Sequence, residues 1–174
     1  SYAEGPTVLV VGEDGDNDTI PRSSQVFSRV LDALNNELTR AGFDVYDESF
    51  ASLDKFDQGR VRRPNTEVMQ VAKGLNNPSM DVLTIFKIYP NHTKTSIATF
   101  IDPLITGRLL DVTSGKHLGN FEVTLPEQQP IPINCNRLCV LREVGKYSKI
   151  LGQELGGVLA HLLQRRLRGG AVAE

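Results

Sequence analysis

Hydrophobic positions along the chain recur with two periods, one suited to strands and one to helices. Thr7-Val8-Leu9-Val10-Val11-Gly12 is an apolar, β-branched run that ends at glycine. It predicts a buried strand. A polar stretch over 13–19 follows. Val26, Phe27, Val30, Leu31, Leu34, Leu38 and Ala41 then repeat at the helical period. Ser23 or Ser24 is placed to cap this helix, and Gly42 to stop it. Residues 43–49 alternate, with Phe43, Val45 and Asp47 on one side, and predict a second strand. Strand, helix and strand in this order predict a βαβ unit with parallel strands and a right-handed crossover.

The pattern then weakens. Residues 50–63 are mixed and charged, ending in Arg60-Val61-Arg62-Arg63, and read as a loop with room for one helical turn. Pro64-Asn65-Thr66-Glu67 is a helix start, and Val68, Met69, Val71 and Ala72 supply a short apolar stripe. Gly74 and Asn76-Asn77-Pro78 end it. Three β-rich stretches follow: 81–89, 95–110 with interruptions at Pro103 and Gly107, and 116–125. The turns predicted between them are Pro90-Asn91-His92 and Asp111-Val112-Thr113-Ser114-Gly115-Lys116. They predict an antiparallel meander. Residues 126–134 are rich in proline and glutamine and read as a loop. A long closing helix is predicted over 144–167, with the stripe Val144, Tyr147, Leu151, Leu155, Val158 and Leu162. Gly152, Gly156 and Gly157 lie inside it, each costing about 1 kcal/mol relative to alanine. Close packing on a neighbour is the expected compensation. The expected fold class is α/β (α+β): a β-α-β-α-β-β-β-α mixed sheet with helices packed on it, in one domain spanning 1–174. Residues 1–6 and 169–174 are expected to be disordered ends.

Composition narrows the function classes. The 174 residues are 40% hydrophobic and 23% charged, with net charge −2. Such a balance does not favour nucleic acid or an anionic membrane surface. No apolar run reaches the roughly 18 residues of a spanning helix. The first residues carry no signal peptide, but the start at Ser1 suggests a processed or trimmed chain, which leaves room for an export signal removed upstream. The two cysteines, Cys135 and Cys139, sit close together in a turn-like segment. A small disulfide loop is expected, and with it an oxidising compartment. Two reduced buried thiols are the competing reading.

The acidic loop Asp14-Gly15-Asp16-Asn17-Asp18 stands where a parallel strand meets a helix start, a usual ligand position in α/β folds. Asp14, Asp16 and Asp18 match the alternating carboxylates of a calcium loop. The match stops there: Thr19 replaces the glycine and Gln25 the bidentate glutamate. A solvated loop is the expected state, and its negative charge argues against phosphate. No metal site or cofactor is expected. The histidines His92, His117 and His161 fall on separate elements, and no nucleophile-elbow or zinc-protease motif occurs. Cys139 has only Arg137 as a basic neighbour in sequence. The basic groups Arg60, Arg62, Arg63 and Arg165, Arg166, Arg168 lack interleaved aromatics for stacking bases. The second suits a helix C-terminus. Asn17-Asp18-Thr19 and Asn91-His92-Thr93 fit a glycosylation pattern that chance also produces.

The stretch Thr106-Gly107-Arg108-Leu109-Leu110-Asp111-Val112-Thr113-Ser114-Gly115-Lys116, followed by a strand and a closing helix, resembles bacterial envelope proteins of the curli-secretion lipoprotein CsgG type. In layout the chain is also similar to the N-terminal domain of TolB and to lipoproteins that activate penicillin-binding proteins. Two features depart from this pattern: the Cys135 to Cys139 segment, and the lack of a lipid-bearing N-terminal cysteine. The resemblance implies a non-catalytic periplasmic or outer-membrane-associated protein that binds other envelope proteins, or further copies of itself, in a secretion, appendage or cell-wall machine. Membrane contact would come only through an anchor upstream of Ser1. The resemblance brings no catalytic residues. The alternative expectation is a small-ligand or nucleotide-binding domain with its site at Gly12 to Thr19.

Overall fold

The structure is a computed structural model that describes residues 5–51 and 60–169, with side chains to residue 166. Among the described residues the elements follow in the order β1 (Thr7–Gly12), α1 (Gln25–Arg40), β2 (Asp44–Asp47), α2 (Asn65–Gly74), β3 (Val82–Tyr89), β4 (His92–Lys94), β5 (Thr99–Ile101), β6 (Leu104–Asp111), β7 (His117–Thr124), β8 (Gln129–Ile131), α3 (Arg137–Gly145) and α4 (Ser148–Gly169). The main sheet has the order β2-β1-β3-β6-β7. Strand β1 runs parallel to both β2 and β3. The β3–β6 and β6–β7 pairs are antiparallel. The expected mixed α/β fold is therefore present, with the meander built from β3, β6 and β7.

Alternation along β1 sorts its side chains onto two cores. Val8 and Val10 join α1, α3 and α4 in the larger one. Leu9 and Val11 join Val68, Met69 and Ala72 of α2 in the smaller one. A strand apolar on both faces must be covered on both, which is why β1 reads as a continuous hydrophobic run. Ser24 caps α1 by accepting from Val26 N at 3.1 Å.

Several elements differ from the sequence expectation. Pro103 divides the 95–110 stretch into β5 and β6. Strand β4 begins at His92, the last residue of an expected turn, and runs through 93–94, which had no expected element, and β8 lies within the expected loop 126–134. With β5 they form a second sheet of order β4-β5-β8. The helix expected over 144–167 is in fact the end of α3 and most of α4, broken at Lys146 and Tyr147, and the rest of α3 precedes it. Lys146 N and Tyr147 N donate back to Glu143 O and Val144 O, and the buried Ser148 donates its hydroxyl to Gly145 O at 2.8 Å. These bonds close one helix while the apolar stripe carries straight on into the next.

The α4 glycines divide as their surroundings require. A Cβ on Gly152 would lie 2.5 Å from Ala33 Cβ and from Val30 O, and one on Gly156 would lie 2.4 Å from Glu37 Cβ. Both let α4 approach the α1 backbone. Gly157 has nothing within 4 Å of that position. Of the expected disordered ends, 1–4 and 170–174 lie outside the described residues. Pro6 is bonded through its carbonyl to Asp44 N at 3.0 Å, and Gly169 closes α4. Of the 50–63 loop, 52–59 lie outside the described residues. Among the described residues no helix is long and apolar enough to cross a membrane.

Candidate functional site

The carboxyl ends of β1 and β2 converge on a cluster of charged side chains. Strand β1 runs out through Glu13, whose N–H bonds Phe86 O on β3 at 2.9 Å. Alternation then sends Glu13 and Asp14 to opposite sides. The Glu13 carboxylate meets the Arg108 guanidinium in a two-pronged pair, at 3.2 and 3.1 Å. Arg108 also donates from Nε to Asn65 Oδ1 at 2.6 Å, tying β6 to the first residue of α2.

Asp14 is 2% exposed. It accepts from Arg22 N at 2.8 Å, Arg22 Nε at 3.2 Å and Val61 N at 2.6 Å. Arg22, only 1% exposed, donates from Nη1 to Glu48 Oε2 at 2.9 Å. Glu48 stands just past β2. It accepts from Gly12 N at 2.9 Å and pairs with Arg63 Nη2 at 3.3 Å. Burial pushes the Glu48 carboxyl above the ordinary 4.5, against the opposing pull of the Gly12 N–H, Arg63 and Arg22. One guanidinium thus bridges two buried carboxylates drawn from the ends of two strands. The expectation that Asp14 belongs to a solvated loop is corrected: unpaired burial would be costly, and Arg22 makes it possible.

The other two aspartates go elsewhere. Asp16 faces Lys87 Nζ at 3.3 Å and Tyr89 Oη at 3.3 Å on β3. The hydrogen bond and charge of Lys87 hold the Asp16 carboxyl below the ordinary 3.8. Burial alone would lower the Lys87 ammonium, but its bonds to Tyr89 and Asp16 raise it. Asp18 is exposed. Asp14, Asp16 and Asp18 therefore address three different surroundings. Among the described residues no three His, Cys, Asp or Glu side chains are grouped to hold a metal.

The loop is also closed from above. Asp14 N donates to Val61 O at 3.0 Å, and a Cβ on Gly15 would lie 2.6 Å from Arg62 Cβ. Glycine is needed there because residues 61–62 cross directly over it. Arg60 inserts Nη1 among four oxygens: Asp14 O at 3.2 Å, Asp16 O at 3.0 Å, Thr19 O at 2.9 Å and Thr19 Oγ1 at 3.4 Å. The position proposed for a small ligand or nucleotide, Gly12 to Thr19, is filled by the chain's own arginines. An open concavity of about 240 Å³ lies beside it, lined by Glu13, Lys87, Thr106, Arg108, Asn120 and Glu122.

Cys135 and Cys139 form the expected disulfide, with Cα atoms 5.1 Å apart. The segment is not merely a turn. Asn136 caps α3 by accepting from Cys139 N at 2.9 Å, so the bridge staples the helix's first turn to the residue before its cap. A smaller concavity of about 130 Å³ adjoins it, lined by Pro90, His92, Cys135, Asn136, Arg137 and Val140 among others.

The sequence singles out the aspartates but not what surrounds them. Arg22 and Glu48 carry no motif, and Arg108, inside the stretch that carries the resemblance, gives no sign of its pairing with Glu13. The available signal was balance: an acidic strand end that folds inward requires cations, and Arg60-Val61-Arg62-Arg63 was the nearest unassigned supply.

No family model matches the sequence, and no curated protein does. Solved structures match in fold. Protein XCC0632 from Xanthomonas campestris, of the DUF330 family, superposes with a TM-score of 0.58 at 9% identity, over 95% of this chain and 89% of that one. The PelC dodecamer from Paraburkholderia phytofirmans gives 0.51 at 15% identity, over 92% of this chain and 89% of that one. TolB from Acinetobacter baumannii aligns with 96% of this chain and 29% of its own, at 13% identity and a TM-score of 0.42, which adds no weight. At these identities the likeness is one of fold: the chain shares its architecture with PelC and the DUF330 protein over nearly its whole length.

Proposed function

We propose that this chain is a non-catalytic protein-binding or assembly component of a bacterial cell-envelope machine for secretion, surface appendages or the cell wall. It works in the periplasm or against the outer membrane, and its partners are envelope proteins and further copies of itself. One observation carries the non-catalytic part of this reading. The place where an α/β fold ordinarily holds its ligand is occupied by Asp14, Arg22 and Glu48, bonded to one another and covered by residues 60–63. Groups spent on mutual pairing are not poised for proton transfer or nucleophilic attack. The disulfide supports an oxidising compartment. The fold shared with PelC, a dodecamer, supports self-assembly.

The test is made in cells carrying the full-length gene. Thiols are trapped with a maleimide-polymer reagent before lysis, and the envelope and cytosol are separated. The proposal predicts an envelope-associated protein that gains no mass unless first reduced. A cytosolic protein with both thiols labelled would contradict it.

A further inference from the structure

We propose that Ile97 of one copy of this chain seats in the concavity beside the Cys135–Cys139 bridge of another copy. Such a contact presupposes the self-assembly proposed above and names its surface. The knob is the two-residue tip between β4 and β5. Ile97 is 85% exposed, the highest value for a large hydrophobic side chain among the described residues. Exposure alone would be ordinary. This tip, however, is held rigidly. Thr95 N donates to Ala98 O at 2.7 Å, and Thr95 Oγ1 donates to the same oxygen at 2.9 Å. Thr95 Oγ1 also accepts from Ile97 N at 3.3 Å and Ala98 N at 3.0 Å. The backbone that presents Ile97 therefore has little freedom left to lose on contact.

The hole has a volume of about 130 Å³. An apolar cavity of roughly 150 Å³ takes up benzene, so this one has room for the sec-butyl side chain of isoleucine. Pro90, Cys135, Val140 and Leu141 supply its apolar wall, with His92 and Arg137 in its polar lining. The wall is fixed, because Val140 is 2% exposed and the bridge staples the first turn of α3. The carbonyls of Ser96 and Ile97 make no hydrogen bond among the described residues, and Arg137 has guanidinium hydrogens to offer them. Two further exposed apolar groups fall one on each side. Thr99 pairs with Ile131, so Ile133, 46% exposed, runs out past the same end of the second sheet as Ile97. Leu138, 74% exposed, precedes Leu141 by three residues on α3 and so adjoins the hole.

Knob and hole are both open as they stand, and nothing has to leave for them to meet. Within one chain they do not meet. His92 of the hole and Thr95 of the tip stand at the two ends of β4, about 10 Å apart at the usual strand rise. The bonds of the tip hold Ile97 away from its own hole, as its exposure shows. A knob and a hole of matching size that one chain cannot join are joined by a second copy. Full burial of an isoleucine side chain strengthens association about tenfold or more.

The experiment follows the whole chain and its variants by sedimentation velocity. Ile97→Ser removes the knob and His92→Trp fills the hole, both at exposed positions. Arg137→Trp is a second filling variant should the first fold poorly, and melting temperature checks the fold of each. The native chain should associate. Each variant alone should need about tenfold higher concentration or more. An equimolar mixture of Ile97→Ser with His92→Trp should associate at lower concentration than either, because one keeps the hole and the other the knob. Association of Ile97→Ser at the native concentration, or a mixture no better than its components, would overturn the contact and leave self-assembly standing. A native chain that stays monomeric would overturn both. Phosphatidylglycerol vesicles are tested in parallel. Vesicle binding that Ile97→Ser abolishes while self-association is unchanged would assign the tip to a lipid surface and overturn the proposal.

Discussion

Arg22 is the residue on which the carboxyl ends of the parallel strands depend. It holds Asp14 and Glu48 together where neither carboxylate has adequate water, so Arg22→Ala should cost about 3–5 kcal/mol in urea unfolding. Arg22→Lys should recover only part of that loss, because an ammonium cannot reproduce the fork that spans both acids. Two acids in different surroundings, Glu48 and Asp16, should shape the pH dependence with opposite signs. Glu48 is raised above 4.5 by burial. Its favourable contribution is present below pH 4.5 and is lost as pH rises through its folded value. Glu48→Gln should flatten that decline. Asp16 is lowered below 3.8 by Lys87. Its contribution is present above 3.8 and is lost as pH falls through its folded value. The stability difference between the native chain and Asp16→Asn should thus be constant near neutrality and vanish in acid. The aspartates were visible in the sequence as a motif, but their roles were not. Asp14 finds its guanidinium eight residues away and Glu13 finds its own ninety-five away, and nothing local encodes either pairing.

At the scale of elements, legibility followed the length and regularity of the hydrophobic signal. β1, α1 and the β3–β6–β7 meander were readable because each has an apolar face repeated over several residues. β4 and β8 were not, being three residues long, with only exposed or half-buried positions and a proline inside β8. The break between α3 and α4 was hidden because Val144, Tyr147, Leu151 and Leu155 continue one stripe across it. The glycines of α4 were correctly expected to permit close packing, but only two of the three do so. Gly152→Leu should force α4 off the α1 backbone and cost at least about 1–3 kcal/mol. Gly157→Ala meets open space and should instead add up to about 1 kcal/mol through helix propensity. Urea midpoints for the two variants should move in opposite directions.

For the whole molecule, the disulfide is a local staple rather than a clamp on the fold. It closes a loop of four residues in separation, for which loop-closure entropy gives about 2 kcal/mol. Cys135→Ser with Cys139→Ser should lower stability by about that amount and leave the circular dichroism spectrum native. On the proposed reading it fits an oxidising compartment, where an assembly component of the envelope would reside. The central claim is that this chain assembles rather than catalyses, and the mass of the purified protein in solution tests it most directly. Sedimentation velocity over a hundredfold range of concentration should show a discrete species at a whole multiple of the 19.2 kDa chain, growing at the expense of monomer. A single 19.2 kDa species throughout that range would contradict self-assembly.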